Sequence, residues 1–393
     1  MNINERTINF YKTANMIKRK AEGQYMTPSD IVTNALSPLS INKDKAVLEP
    51  SFGTGQFLDA LIKNKYTDIT AVEKDTELYN LSINQYTSKL INQDYLTTIF
   101  DKKFRLIIGN PPYFEMKCSK EQKLLFKDVI GGRPNIYSLF IKKSIDELDI
   151  NGVLCYVIPT SLLSSKYFEK TRDYIIKYCN IERIDKLNTD DFDSAQQKTM
   201  IFQIKKRKSG NNNKKFVVKL GSGIIFTPDS DTINKLLLDK TFIKAMGCSV
   251  KTGNVVWNQF RDKYGDLFTN DSDGNTMLVY PRNLTTGKLV ADSNKKKFQY
   301  IKPSNHETIS GPVIAINRII GMNSISLNPV LIESGNYYFE NHINIITGPL
   351  DKLKIILESL KNPKTIDFIK MIIGNTQLSK TELETMIPII IEK

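Results

Sequence analysis

Two short stretches of this chain carry side chains that can do chemistry. Ile107-Ile108-Gly109-Asn110-Pro111-Pro112-Tyr113-Phe114 runs two branched apolar residues straight into an amide, two prolines and two rings. Neither proline has a backbone N–H, so a strand that reaches them must leave its sheet in a stiff, extended turn. A stiff turn holds Asn110, Pro111 and Tyr113 in place, as a site requires of the groups it uses. In the other stretch, Glu49-Pro50-Ser51-Phe52-Gly53-Thr54-Gly55 joins an apolar strand to a helical segment. Gly53 and Gly55 permit torsions and a close approach that a side chain would block, and an open parallel sheet binds its ligand at such a turn. A dinucleotide loop would carry a third glycine where Leu58 stands, and Glu49 would repel a phosphate. Glu73 closes the next strand, where an acid accepts hydrogen bonds from ribose hydroxyls. Asp94, in INQDYL, can accept from an adenine amino group. In that order the glycine turn, Glu73, Asp94 and the Asn-Pro-Pro-Tyr strand describe a pocket for an adenosine without phosphates.

The elements that must position these groups alternate. Apolar strands are predicted at 46–50, 69–75, 104–110, 152–158, 181–187 and 200–204, and helices at 57–63, 121–130, 136–148 and 162–178. Thr27 is placed to cap a helix with Pro28 at its first position and Asp30 in its first turn. The alternation predicts an α/β, Rossmann-like, doubly wound sheet, mostly parallel, with an antiparallel last hairpin. It stops near Lys205, where KKRKSGNNNKK (205–215) reads as a linker. The expected domains are 1–210 and 211–393, the second a mixed α+β unit ending in helices at 350–360 and 364–373.

Apolar content of 40% and charged content of 25% describe a globular chain. The longest apolar runs, such as Val153–Pro159, are too short to span a bilayer, and MNINERTINFYKT lacks a signal core. No membrane is therefore expected, and the predicted location is cytoplasmic, beside the nucleoid. Four cysteines without CxxC spacing and two histidines exclude a zinc or disulfide framework, so no metal is expected. A net charge of +13 favours a polyanionic partner.

These residues resemble the S-adenosylmethionine-dependent DNA adenine-N6 methyltransferases of restriction–modification systems. Asn110–Tyr113 is similar to that family's catalytic tetrapeptide, EPSFGTGQFL (49–58) to its cofactor loop, and GQYMTP (23–28) to the segment that closes over the methionine end. Residues 134–163 resemble its middle helices and fifth strand, and FDSAQQKTMIFQIKK (192–206) its last hairpin. The order of cofactor motifs, catalytic motif and recognition domain matches the gamma class. The resemblance implies that the side-chain oxygen of Asn110 and the carbonyl of Pro111 accept the two N–H bonds of an exocyclic amine. It implies that Tyr113 and Phe192 hold the two faces of a flipped base. Glu49, Gly53 and Gly55 would lie at the cofactor's amino-acid end, Glu73 at its ribose and Asp94 at its adenine, with Tyr25, Thr27 and Asn110 closing the site. Phe57 is read as a core residue of its helix, and Phe114 as structural. The implied partner is double-stranded DNA met by a monomer, with a separate restriction endonuclease as companion.

Residues 215–393 would then read sequence. SVKTGNVVWNQF (249–260) resembles the start of such recognition domains, and Lys-rich NKKKFQYIK (294–302) suits a phosphate-tracking surface. Arg282 and Arg318 have the residue type that reads guanine. Two alternatives stay open: an RNA or protein-glutamine amino-methyltransferase, and a catalytically inactive DNA-binding member of the fold.

Overall fold

The computed structural model describes residues 3–13, 19, 23–187, 198–208, 215–221, 223–285, 287–292, 297–321, 325–373 and 377–391. The chain divides into two compact units, Met1–Val218 with Gly223–Ser230, and Lys219–Ser222 with Asp231–Lys393.

The first unit is built on a seven-stranded sheet. Its strands are β1 (Val47–Glu49), β2 (Ile69–Glu73), β3 (Lys89–Asn92), β4 (Phe104–Gly109), β5 (Leu148–Pro159), β6 (Cys179–Lys186) and β7 (Thr199–Lys206), in the spatial order 3-2-1-4-5-7-6. The first five run parallel, and β7 lies antiparallel between β5 and β6. The predicted doubly wound sheet with an antiparallel last hairpin is therefore present. Its central strands read as continuous apolar runs because both faces are covered. Leu48, Ile107 and Leu154 enter one core. Val47, Leu106 and Ile108 enter the opposite one, together with Phe57, which is 3% exposed.

Several elements differ from the sequence reading: the helix expected over 121–130 ends at Leu125, and the helix Thr76–Ser82 was not foreseen. The edge strand β3 was not foreseen, because it is short, none of its residues is buried, and its two apolar residues sit between Lys89 and Asn92. The single helix expected over 162–178 is instead two 3-10 turns, Thr160–Leu163 and Lys166–Phe168, before a helix at Glu169–Tyr178. Arg172 braces the break. Its guanidinium donates to the carbonyls of Leu162 at 3.0 Å and Ser165 at 2.8 Å, and outside that stretch to the Ile224 carbonyl at 2.7 Å.

The second unit is mixed α+β, as expected. It holds a four-stranded antiparallel sheet, with strand order Ser249–Thr252, Ile343–Thr347, Val313–Asn317, Val330–Ile332. A second, five-stranded sheet of short strands and the helices Leu350–Lys361, Pro363–Ile372 and Lys380–Thr385 complete it. Trp257 belongs to its core, against Phe268 and Tyr280. Among the described residues no helix is long and apolar enough to cross a membrane.

Candidate active site

The site lies at the carboxyl ends of β1, β2 and β4, where a doubly wound sheet opens. After β1 the chain turns sharply. Phe52 N donates to the Val72 carbonyl at 3.1 Å, and Gly55 N to the Phe52 carbonyl at 2.7 Å. Gly53 and Gly55 take φ of 55° and 81°, a left-handed pair that side chains disfavour. A Cβ on Gly55 would also sit 2.4 Å from the Tyr86 hydroxyl.

Glu73 braces this turn. One carboxylate oxygen accepts Gly53 N and the other Asp75 N, both at 2.8 Å. Burial pushes its pKa up, and the two backbone donors pull against that. A carboxylate has about four acceptor positions, so Glu73 keeps capacity toward the cavity it lines. Asp94 lines the same cavity, accepting Leu96 N at 3.0 Å and Lys74 Nζ at 2.9 Å. Glu49 is different. It is 1% exposed, and its Oε2 is buried without a hydrogen-bond partner. Burial first, then the charges of Glu73 and Asp59, push its pKa well above the ordinary 4.5. A buried carboxylate oxygen left unpaired beside two positive-φ glycines is a group awaiting a donor.

Asn110 sits where β4 ends. Its Nδ2 donates to the Tyr25 carbonyl at 3.0 Å and to Thr27 Oγ1 at 2.9 Å, which fixes the amide with Oδ1 turned the other way. Thr27 therefore spends its hydroxyl on Asn110. The helix it was expected to cap, Ser29–Leu36, begins with no side-chain cap. Of Tyr25, it is the backbone carbonyl that reaches Asn110. The Tyr113 hydroxyl donates to Asn110 Oδ1 and lies 2.5 Å from the Val157 carbonyl. Burial drives that phenol's pKa well above its usual value, so it stays a donor. The Tyr113 ring meets Tyr137 edge to face at 6.1 Å. Ser51 Oγ holds the Asn110 carbonyl at 3.1 Å.

A cavity of about 540 Å³ is lined among others by Tyr25, Gly53, Glu73, Asp94 and Asn110, whereas Thr27, Glu49, Gly55, Pro111 and Tyr113 are not among its lining residues. Phe114, read from sequence as structural, lines it as well. The segment at 23–27 closes directly on the Asn-Pro-Pro-Tyr turn: Gly23 has φ of 64°, and a Cβ there would lie 2.8 Å from Tyr113 N. Gln24, Met26, Ser51 and Asp75 also border the site, and sequence reasoning missed them. Gln24 and Met26 were legible only as neighbours of Tyr25 and Thr27. Asp75 was masked by its second task of capping the helix Thr76–Ser82. Phe192 lies outside the described residues, as do 294–296 of the lysine-rich stretch. In the second unit Arg282 is held by Asp292 at 2.7 Å, and Arg318 donates to the Asn341 carbonyl at 2.8 Å.

A family model, the Eco57I restriction-modification methylase, matches residues 1–192. The type II methyltransferase M.CvrRI of Paramecium bursaria Chlorella virus XZ-6E is 28% identical over 379 residues, 96% of this chain and 96% of the relative. The type II methyltransferase M.HincII of Haemophilus influenzae is 32% identical over 203 residues, 50% of this chain and 39% of the relative. The chain thus spans nearly all of the viral relative and about two-fifths of the Haemophilus one. A solved structure of a putative class I S-adenosylmethionine-dependent methyltransferase from Listeria monocytogenes covers 53% of this chain and 67% of its own, with 21% identity and a TM-score of 0.46. Residues 1–192 are thus similar to the Eco57I restriction-modification methylases, and the chain is a methyltransferase.

Proposed function

We propose that this methyltransferase binds S-adenosylmethionine in the cavity at the ends of β1, β2 and β4, and methylates N6 of adenine at a specific site in double-stranded DNA. The observation that carries the reading is the Asn110 amide. Two acceptors take its N–H bonds, so its oxygen is aimed by construction and keeps a second lone pair beside the one that Tyr113 uses.

An exocyclic amine is a poor nucleophile because its lone pair is delocalised into the ring. Asn110 Oδ1 accepts one amine N–H and the Pro111 carbonyl the other, drawing the nitrogen toward tetrahedral geometry and freeing the lone pair. The two prolines fix both acceptors before the base arrives, which is electrostatic preorganisation. Asn110 is neutral, so the acceptor does not carry the proton; the proton leaves to water after transfer. Tyr113 stacks on the base, which must leave the duplex at a cost of about a few kcal/mol, and Phe192 is the proposed second face.

The residues present fit the cofactor. The unpartnered Glu49 Oε2 suits its ammonium, the spare acceptor positions of Glu73 suit ribose hydroxyls, and Asp94 suits the adenine amino group. Gly53 and Gly55 let the backbone approach it. When bound, the cofactor supplies an electrophilic methyl group on sulfur. No metal is required of this chemistry. The second unit, with the basic balance of the whole chain, is the proposed reader of sequence. The protein would act in the cytoplasm as a monomer, with a separate endonuclease as companion.

The test is competition for label. Methyl-labelled S-adenosylmethionine is offered with equal masses of unmethylated duplex DNA, folded RNA and mixed protein. Label in DNA alone is expected; label in RNA or protein would replace this reading with one of the two other amino-methyltransferase classes.

A further inference from the structure

The glycine turn is held from outside by the helix at Glu5–Thr13 and the residues around its start. Arg6 Nε donates to the Thr54 carbonyl at 2.9 Å, and its Nη2 to Asp59 Oδ2 at 2.6 Å and to the Tyr86 hydroxyl. Its Nη1 reaches Gln85 Oε1. The side chain is 17% exposed. Tyr86 in turn donates to Asp59 Oδ1 at 2.6 Å, with the Gly55 carbonyl 3.3 Å from the same hydroxyl. Asn4 Nδ2 adds a second donor to the Thr54 carbonyl at 3.1 Å, and Thr7 Oγ1 meets Thr54 Oγ1 at 2.6 Å.

This arrangement answers a physical need. Gly53 and Gly55 both adopt positive φ with only Thr54 between them, and a glycine pair gives up the most conformational entropy when ordered. The turn's own bonds secure Gly53 N and Gly55 N, through Glu73 and Phe52. They leave the Thr54 carbonyl to outside donors, while the Gly55 carbonyl takes Asp59 N at 2.9 Å as the helix begins. The planar fork of an arginine can serve that carbonyl of Thr54, the Asp59 carboxylate and the Tyr86 hydroxyl, all at once.

We infer that Arg6 is a positioning residue of the cofactor site: through Thr54, Asp59 and Tyr86 it holds the Gly53–Gly55 turn in its cofactor-binding shape. It acts without touching the cavity, since it is not among the cavity's lining residues. The inference rests on the reading that this cavity takes S-adenosylmethionine.

The experiment is calorimetric titration of the full chain with S-adenosylhomocysteine, alongside initial-rate kinetics on duplex DNA. Arg6→Ala is expected to weaken binding of S-adenosylhomocysteine about tenfold, and to raise KM for S-adenosylmethionine in proportion while KM for DNA stays within twofold. Arg6→Lys, which keeps the charge but loses the fork, should recover only part of the affinity. Tyr86→Phe keeps the ring and removes one hydroxyl, so it serves if Arg6→Ala does not fold. It should weaken binding about threefold. Arg6→Ala or, in its stead, Tyr86→Phe binding with wild-type affinity would overturn the inference, as would full recovery with lysine. A wild-type protein that binds no S-adenosylhomocysteine would overturn the reading beneath it.

Discussion

Two buried polar clusters, one in each unit, are satisfied to different extents. In the second unit, Asn283 and Gln299 are 0% and 3% exposed, and each is spent on its neighbours. Asn283 donates to the Val290 carbonyl at 2.9 Å and accepts Tyr280 N at 2.8 Å. Gln299 donates to the Leu278 carbonyl at 2.6 Å and accepts Asp292 N at 2.9 Å. In the first unit, Glu49 is equally buried, yet Oε2 has no partner; among the described residues it is the one carboxylate oxygen left so. Satisfied polar groups build architecture, whereas an unpaired buried carboxylate oxygen is costly, and on the proposed reading the cofactor's ammonium completes it. Asn110 stands between these cases, with three hydrogen bonds made and one lone pair of Oδ1 left open.

The sharpest way to break that comparison is Asn110→Ala. Methyl transfer should fall about a thousandfold, the scale of losing a preorganised transition-state contact, while titration shows S-adenosylhomocysteine binding within a few-fold. Wild-type turnover would remove Asn110 from the chemistry. Gly23→Ala comes next. It places a Cβ at a φ of 64° and 2.8 Å from Tyr113 N, so the closing segment must move. A loss of transfer of about a hundredfold is expected from misplacement by roughly 1 Å, with the melting temperature little changed.

Gln299→Leu tests the other unit. Stranding the groups that Gln299 serves should cost about 2 kcal/mol of stability, read by denaturant unfolding, and leave cofactor affinity untouched. A fall in that affinity would mean that the second unit's polar network does more than build its fold. Glu49→Gln should have the smallest effect and the most distinctive sign. The folded-state pKa lies above the unfolded one, so the carboxyl's favourable contribution is complete below about pH 4.5 and lost as pH rises through the folded value. At pH 8 the unliganded variant should therefore be more stable than wild type by on the order of 1 kcal/mol, yet bind S-adenosylmethionine about tenfold more weakly.

The first unit was legible because burial on both faces leaves apolar runs at β1, β2, β4, β5 and β7, while the edge strand β6 shows only spaced apolar residues. The edge strand β3 shows no such run, since Lys89 and Asn92 flank its two apolar residues. Asn110, Glu49 and Glu73 could be named because motif spacing puts them at strand ends. Thr27 could be named, but its use could not, because whether a hydroxyl caps a helix or meets an amide 83 residues away is decided by tertiary structure. Arg6 carried no signal at all; its importance lies in four partners at 54, 59, 85 and 86 that only the fold assembles. The second unit was opaque because short strands broken by turn residues leave its register undetermined.

The central claim is that the aimed oxygen of Asn110 accepts from an adenine amino group in DNA. Its most direct test is nucleoside analysis of unmethylated genomic DNA after reaction with the purified protein and labelled S-adenosylmethionine, with sequencing of the modified positions. The account predicts N6-methyladenine at one recurring motif. Label in any other nucleoside, or N6-methyladenine scattered without a motif, would contradict it.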